Sequence, residues 1–67
     1  MIDIRINGQP HPFDHPPSVS EVLETLGLTG KRIAVERNGC IVPKSLHGTT
    51  LCATGDTIEI VVAVGGG

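Results

Sequence analysis

One short helix, with little except strands to bury it, constrains this chain more than any other feature. Ser18 is a good helix N-cap, and Glu21 stands three residues later to complete a capping box. Val19, Val22, Leu23 and Leu26 then recur at helical spacing and form one apolar stripe. Gly27 suits the left-handed position after the last turn, and Leu28 can fold back onto that turn. The signals predict a helix of two to three turns over residues 19–26. The whole chain has 67 residues, so there is room for one small core and no second domain.

The rest of the chain reads as strands. Ile2, Ile4 and Ile6 alternate with Asp3 and Arg5, a period of two with one buried face. Asn7-Gly8 suits a type I′ hairpin turn, in which both central residues need positive φ. Pro10 and Pro12 each remove a ladder donor, so the return segment 9–14 is expected to be an irregular edge strand. Ile33, Ala34 and Val35 open a third strand, and Asn38-Gly39 forms a second hairpin turn. Cys40, Ile41 and Val42 make a short fourth strand that Pro43 ends. Residues 44–53 are mixed, with a short turn of helix expected. Gly55-Asp56 punctuates the chain before a last strand over 57–63, with Ile58, Ile60 and Val62 on one face. The economical solution is α+β: one helix across a mixed sheet of four or five strands, with the first and last strands central.

Composition removes several classes of function. The net charge is −2, with no Trp or Tyr and only Phe13 as an aromatic. That argues against nucleic acid, which calls for basic patches and stacking platforms. Met1-Ile2-Asp3-Ile4-Arg5 lacks the basic region and apolar run of a secretion signal, and no stretch approaches membrane-spanning length. A cytoplasmic protein is expected. Cys40 and Cys52 have no metal-ligand spacing and read as reduced, ordinary thiols.

The last strand runs into Val64 and then Gly65-Gly66-Gly67. A glycine segment is slender and conformationally free, so residues 64–67 are expected to form a flexible tail on a domain of residues 1–63. Such a tail can thread a narrow cleft and present a C-terminal carboxylate to another enzyme. A free carboxylate is a poor electrophile and must first be activated, for example as a mixed anhydride with a nucleotide phosphate. The chain has no phosphate-binding loop of its own, so the activation needs a partner.

Four stretches together resemble the ThiS-type sulfur carriers of thiamine biosynthesis, members of the ubiquitin-like β-grasp group. They are the opening strand with Asn7-Gly8, the Ser18-x-x-Glu21 helix, the segment Ile33-Ala34-Val35-Glu36-Arg37-Asn38-Gly39-Cys40-Ile41-Val42-Pro43, and the ending from Gly55-Asp56-Thr57-Ile58-Glu59-Ile60 through Gly67. The resemblance spans nearly the whole chain. It departs in the Pro/His-rich stretch from Pro10 to Pro17, and in having Leu46-His47 where relatives often place an aromatic. The resemblance implies a carrier and co-substrate, not an enzyme. An E1-like, ThiF-like adenylyltransferase would use ATP to adenylate the Gly67 carboxylate. A persulfide donor would then convert it to a thiocarboxylate, a 1-thioglycine. A ThiG-like thiazole synthase would receive the sulfur. Gly65 and Gly66 would thread the partner's active site, with no tightly bound cofactor in the carrier. A sulfur carrier for molybdopterin synthesis, a ubiquitin-like modifier and a plain interaction module are the alternatives.

Other residues carry weaker signals. Val61 and Ala63 point away from the stripe of Ile58, Ile60 and Val62, and with Val64 they suggest a partner-docking surface; valine's β propensity explains them equally well. His11, Asp14 and His15 resemble a metal cluster in composition, but the surrounding prolines forbid the helix that would converge them, and no metal is expected. Ser18, Glu21 and a histidine mimic a hydrolase set, which capping already explains. Lys31, Arg32, Arg37 and Lys44 read as solvated charges.

Overall fold

A computed structural model describes residues 1–63. Five strands form one mixed sheet: β1 (Ile2–Ile6), β2 (Gln9–Phe13), β3 (Ile33–Arg37), β4 (Cys40–Ile41) and β5 (Thr57–Val62). Their order across the sheet is β2-β1-β5-β3-β4. β1 and β5 run parallel, and the other neighbours are antiparallel. The helix α1 (Val19–Thr25) lies in the connection between β2 and β3. Its Val19, Val22 and Leu23 pack with Ile4, Ile6, Val35, Ile58 and Ile60 in one buried core. β5 is the central strand and β1 lies beside it, because they carry the cleanest alternation and no proline. Among the described residues, no helix is long and apolar enough to cross a membrane.

The helix begins as its sequence dictates. Ser18 Oγ accepts from the Glu21 N–H at 3.1 Å, and the Glu21 carboxylate accepts from the Ser18 N–H at 3.3 Å. Its end falls at Thr25, one residue before the expected boundary, because Leu26 is the C-cap. Gly27 takes φ 72°. The Gly27 N–H then reaches the Glu24 carbonyl and the Leu28 N–H reaches the Leu23 carbonyl. Those two bonds make a Schellman stop, with Leu28 packed against the core.

β2 is an edge strand, yet it is regular, in correction of the irregular one expected. All five of its residues pair in register, from Ile2 opposite Phe13 to Ile6 opposite Gln9. The reason lies in which way the prolines face. The Arg5 N–H donates to the Asp56 carbonyl, on the β5 side. Arg5 opposite Pro10, and by alternation Asp3 opposite Pro12, are therefore non-hydrogen-bonded pairs. Neither missing N–H was needed by the ladder. Val42 also departs from expectation. It leaves strand β4, although its N–H still reaches the Val35 carbonyl at 2.8 Å, and its side chain turns into the core ahead of Pro43. A single 3-10 turn follows at Lys44–Leu46.

Both hairpin turns have the predicted backbone, with Asn7 at φ 50° and Asn38 at φ 52°. Their side chains do more than the turn requires. β1 ends at Ile6, leaving Ile60 of β5 without a strand partner on that side. The Asn7 carboxamide replaces one: its Oδ1 accepts from the Ile60 N–H at 2.8 Å and its Nδ2 donates to the Ile60 carbonyl at 3.1 Å. Asn38 Oδ1 likewise accepts from the Thr57 N–H at 2.9 Å. Its Nδ2 donates to Asp56, which also accepts from Arg37 Nε at 2.9 Å and the Ala53 N–H at 2.8 Å. Burial pushes the Asp56 carboxyl up, but the bonds from Ala53, Asn38 and Arg37 outweigh it and hold the group below its ordinary range. Replacing Asn7 with glycine keeps the turn's backbone freedom and removes both carboxamide bonds. Asn7→Gly is expected to destabilise the domain by roughly 1–2 kcal/mol, read as a lower denaturant midpoint with an unchanged slope.

Candidate functional site

The helix covers one face of the sheet and leaves the other open. Alternation along β5 puts Thr57, Glu59 and Val61 on the open face, and Val61 is 66% exposed. Register brings further residues to it. Ala34 of β3 lies opposite Val61, Glu36 lies opposite Glu59, and Ile41 of β4 lies opposite Glu36. Ala34 is exposed, and so is Ile41 at 62%. Apolar side chains therefore flank a cross-strand pair of like charges. Neither Glu36 nor Glu59 has an ion-pair partner among the described residues. Like charges directly opposite on a sheet oppose folding, so stability does not account for this pair.

Of the residues expected to dock a partner, Val61 and Ala63 lie exposed at the end of β5, where the Ala63 N–H bonds the Arg32 carbonyl at 2.9 Å. Val64 and the glycines Gly65, Gly66 and Gly67 lie outside the described residues. Sequence reading missed Ile41, Ala34 and the two glutamates as companions of Val61. Their signal was weak: β3 opens with the unbroken apolar run Ile33-Ala34-Val35, and only the register with β5 shows that Ala34 faces outward.

Several side chains capable of chemistry elsewhere are buried or engaged in hydrogen bonds. The Cys52 thiol is buried, and burial pushes its pKa up, away from the reactive thiolate. Cys40 is exposed and also free, so no disulfide links the two. The Ser18 hydroxyl serves the helix cap and does not contact a histidine. Among the described residues, no three His, Cys, Asp or Glu side chains converge as a metal site. His11 sits in β2, while His15 bridges two carboxylates at the start of α1, Glu21 at 2.8 Å and Asp14 at 2.5 Å. The Glu21 and Asp14 hydrogen bonds raise the pKa of His15, and its ring lowers theirs.

A raised histidine pKa stabilises the fold only while the ring is charged. That contribution is complete below the unfolded value and declines as pH rises through the folded one, above 6.5. The effect is small, since all three groups are exposed. His15→Gln is expected to lower the melting temperature more at about pH 5.5 than at about pH 8.5. A gap that widens with rising pH contradicts the bridge.

Comparison with known proteins adds the context of the tail. The model of the ThiS family matches residues 4–67. The chain is 42% identical over 62 residues to a thiazole synthase of Paramagnetospirillum magneticum, across 92% of this chain and 19% of that protein. It therefore spans about a fifth of that relative. A protein of Porphyra purpurea named only as uncharacterized protein ycf40 is 38% identical over 66 residues, across 98% of this chain and 93% of the relative. The crystal structure of a thiamine biosynthesis protein, ThiS, from Geobacter metallireducens superposes with a TM-score of 0.81 at 28% identity, covering 98% of this chain and all of that one.

Proposed function

The chain belongs to the ThiS family, and from that premise we propose that it is a sulfur carrier for thiamine thiazole synthesis, with the Gly67 carboxylate as the carrying group. The observation that carries the reading is the reach of the family match, which runs through the domain and on to residue 67. The carrier is a co-substrate for partner enzymes. An E1-like, ThiF-like enzyme joins the Gly67 carboxylate to the α-phosphate of ATP and releases pyrophosphate. The acyl-adenylate provides the leaving group that the free carboxylate lacks. A persulfide sulfur attacks the acyl carbon and AMP departs. A thiol then cleaves the S–S bond of the acyl disulfide and is itself oxidised, leaving a thiocarboxylate at Gly67. A ThiG-like thiazole synthase receives that sulfur, and Gly65 and Gly66 let the terminus pass into each partner's site.

Two features of the domain support this role. β5 is central and buried on the helix side, so the residue where it ends has a firm base. The open face beside that end offers Val61, Ala63, Ala34 and Ile41 around Glu36 and Glu59, an apolar surface with two carboxylates that have no ion-pair partner among the described residues. A partner presenting an arginine or lysine within an apolar rim fits it, and the cation would relieve the Glu36–Glu59 repulsion. Val64, the next residue in the chain, is proposed to contact the same partner.

Incubation with ATP, the E1-like enzyme and a persulfide donor is expected to replace one oxygen of the intact chain by sulfur, read by mass spectrometry. Deleting Gly66 and Gly67 is expected to abolish the exchange and leave the unfolding curve in place. Failure to form an acyl-adenylate at Gly67 would sink the carrier reading, and isopeptide adducts to lysine would replace it with a modifier. For the docking face, Val61→Asp is expected to raise the KM for the adenylating enzyme about tenfold, a loss of roughly 1.4 kcal/mol, with little change in melting temperature. An unchanged KM would place the contact elsewhere.

A further inference from the structure

On the other side of the molecule, at the C-terminal end of α1, a half-open cavity of about 320 Å³ lies between the helix, the connection into β3 and the 3-10 turn. Its apolar lining comes from Leu23, Leu28 and Ile33. Lys31, Arg32 and Lys44 also line it. These are three of the chain's five lysines and arginines, in a chain of net charge −2. They form no ion pair among the described residues, whereas Arg37 is held by Asp56 and Arg5 by the Gly8 carbonyl. Glu24 is the acidic residue in the lining. Three cations and one carboxylate give the cavity a net charge of +2.

His47 adds a polar group that is not simply a solvated surface charge. Its side chain belongs to a residue only 7% exposed, yet it lines this cavity. Its Nε2 lies 3.0 Å from the Val42 carbonyl, which can only accept, so Nε2 carries the proton. Nδ1 has no hydrogen-bond partner among the described residues, and it is not a sealed, unsatisfied atom. The ring is thereby held in place at the edge of the cavity as a buried polar wall.

From this combination we infer that the cavity binds a small organic phosphate, a phosphate monoester on a compact apolar or aromatic body. Charge selects the head group. A phosphate monoester carries about −1.5 to −2 at neutral pH, which matches the lining, while a single carboxylate leaves one cation unbalanced. The guanidinium of Arg32 suits bidentate phosphate contact, and the two lysines serve as point charges. Leu23, Leu28 and Ile33 take the organic body out of water. The volume lies at the lower end of the range for small-molecule sites, about 300–1,000 Å³, so the ligand is small. The site lies on the helix side of the sheet, away from the Val61 face, and it meets the end of β5 at Arg32, whose carbonyl accepts from the Ala63 N–H.

Phenyl phosphate, inorganic phosphate and benzoate, each titrated into the full chain at about 150 mM salt and followed by amide NMR shifts, test the inference. Phenyl phosphate is expected to shift the amides of Leu28, Lys31, Arg32 and His47 saturably. Inorganic phosphate and benzoate are each expected to bind about tenfold or more weakly, because each lacks one half of the match. The double variant Arg32→Gln, Lys44→Gln is expected to lose about tenfold or more in phenyl phosphate affinity, with an unchanged melting temperature because both side chains are exposed. Leu28→Ser, which keeps the charges, is expected to weaken phenyl phosphate and leave inorganic phosphate unaffected. Absence of saturable shifts with phenyl phosphate, equal affinity for inorganic phosphate, or full binding by the double variant overturns the proposal.

Discussion

The fold depends on the parallel contact between β1 and β5, strands separated by most of the chain. Only two residue pairs register across it, Arg5 with Thr57 and Ile6 with Ile58. So short a ladder is reinforced at both ends. The Gly55 N–H bonds the Asp3 carbonyl and the Arg5 N–H bonds the Asp56 carbonyl at one end. At the other end the Asn7 backbone reaches Ile58 and its side chain reaches Ile60. Parallel strands need a long crossover, and here it contains the helix that seals one face of the sheet. Closing so long a loop is entropically unfavourable, and the burial of Ile4, Ile6, Ile58 and Ile60 under Val19 and Val22 offsets it.

Asp56 extends that contact to the far half of the sheet. Its carboxylate gathers Arg37, Asn38 and the Ala53 N–H, while its carbonyl accepts from Arg5. The β3–β4 hairpin is thereby tied to the start of β5 and, through β5, to β1. On the helix side, the Cys52 N–H bonds the Pro17 carbonyl and the Val19 N–H bonds the Thr50 carbonyl. The segment after the 3-10 turn is thus stitched to the helix N-terminus. A chain this small gains rigidity by using polar side chains as substitutes for missing strand partners.

The same arrangement puts the two candidate surfaces on opposite faces of the sheet. β5 ends beside an open sheet face bearing Val61, Ile41 and two opposed glutamates, and the tail follows from that end. The cavity with Lys31, Arg32 and Lys44 lies on the helix side. Two opposed glutamates mark the one surface and three cations the other, although the chain's overall charge is small.

Local chemistry made much of this legible in the residues alone. The capping box of Ser18 and Glu21, the Gly27 stop, the two Asn-Gly turns and the period-two strands each depend on interactions within a few positions, so spacing reveals them. The resemblance to a sulfur-carrier family was equally readable, because motif residues are contiguous. Tertiary structure alone decided what register controls: that Pro10 and Pro12 sit where no donor is missed, that Ala34 and Ile41 join Val61, and that Glu36 faces Glu59. It also decided that the Asn7 carboxamide acts as a strand end and that three dispersed cations meet over one cavity. Those facts arise between residues far apart in the chain, and no local pattern encodes a distance that only folding brings about.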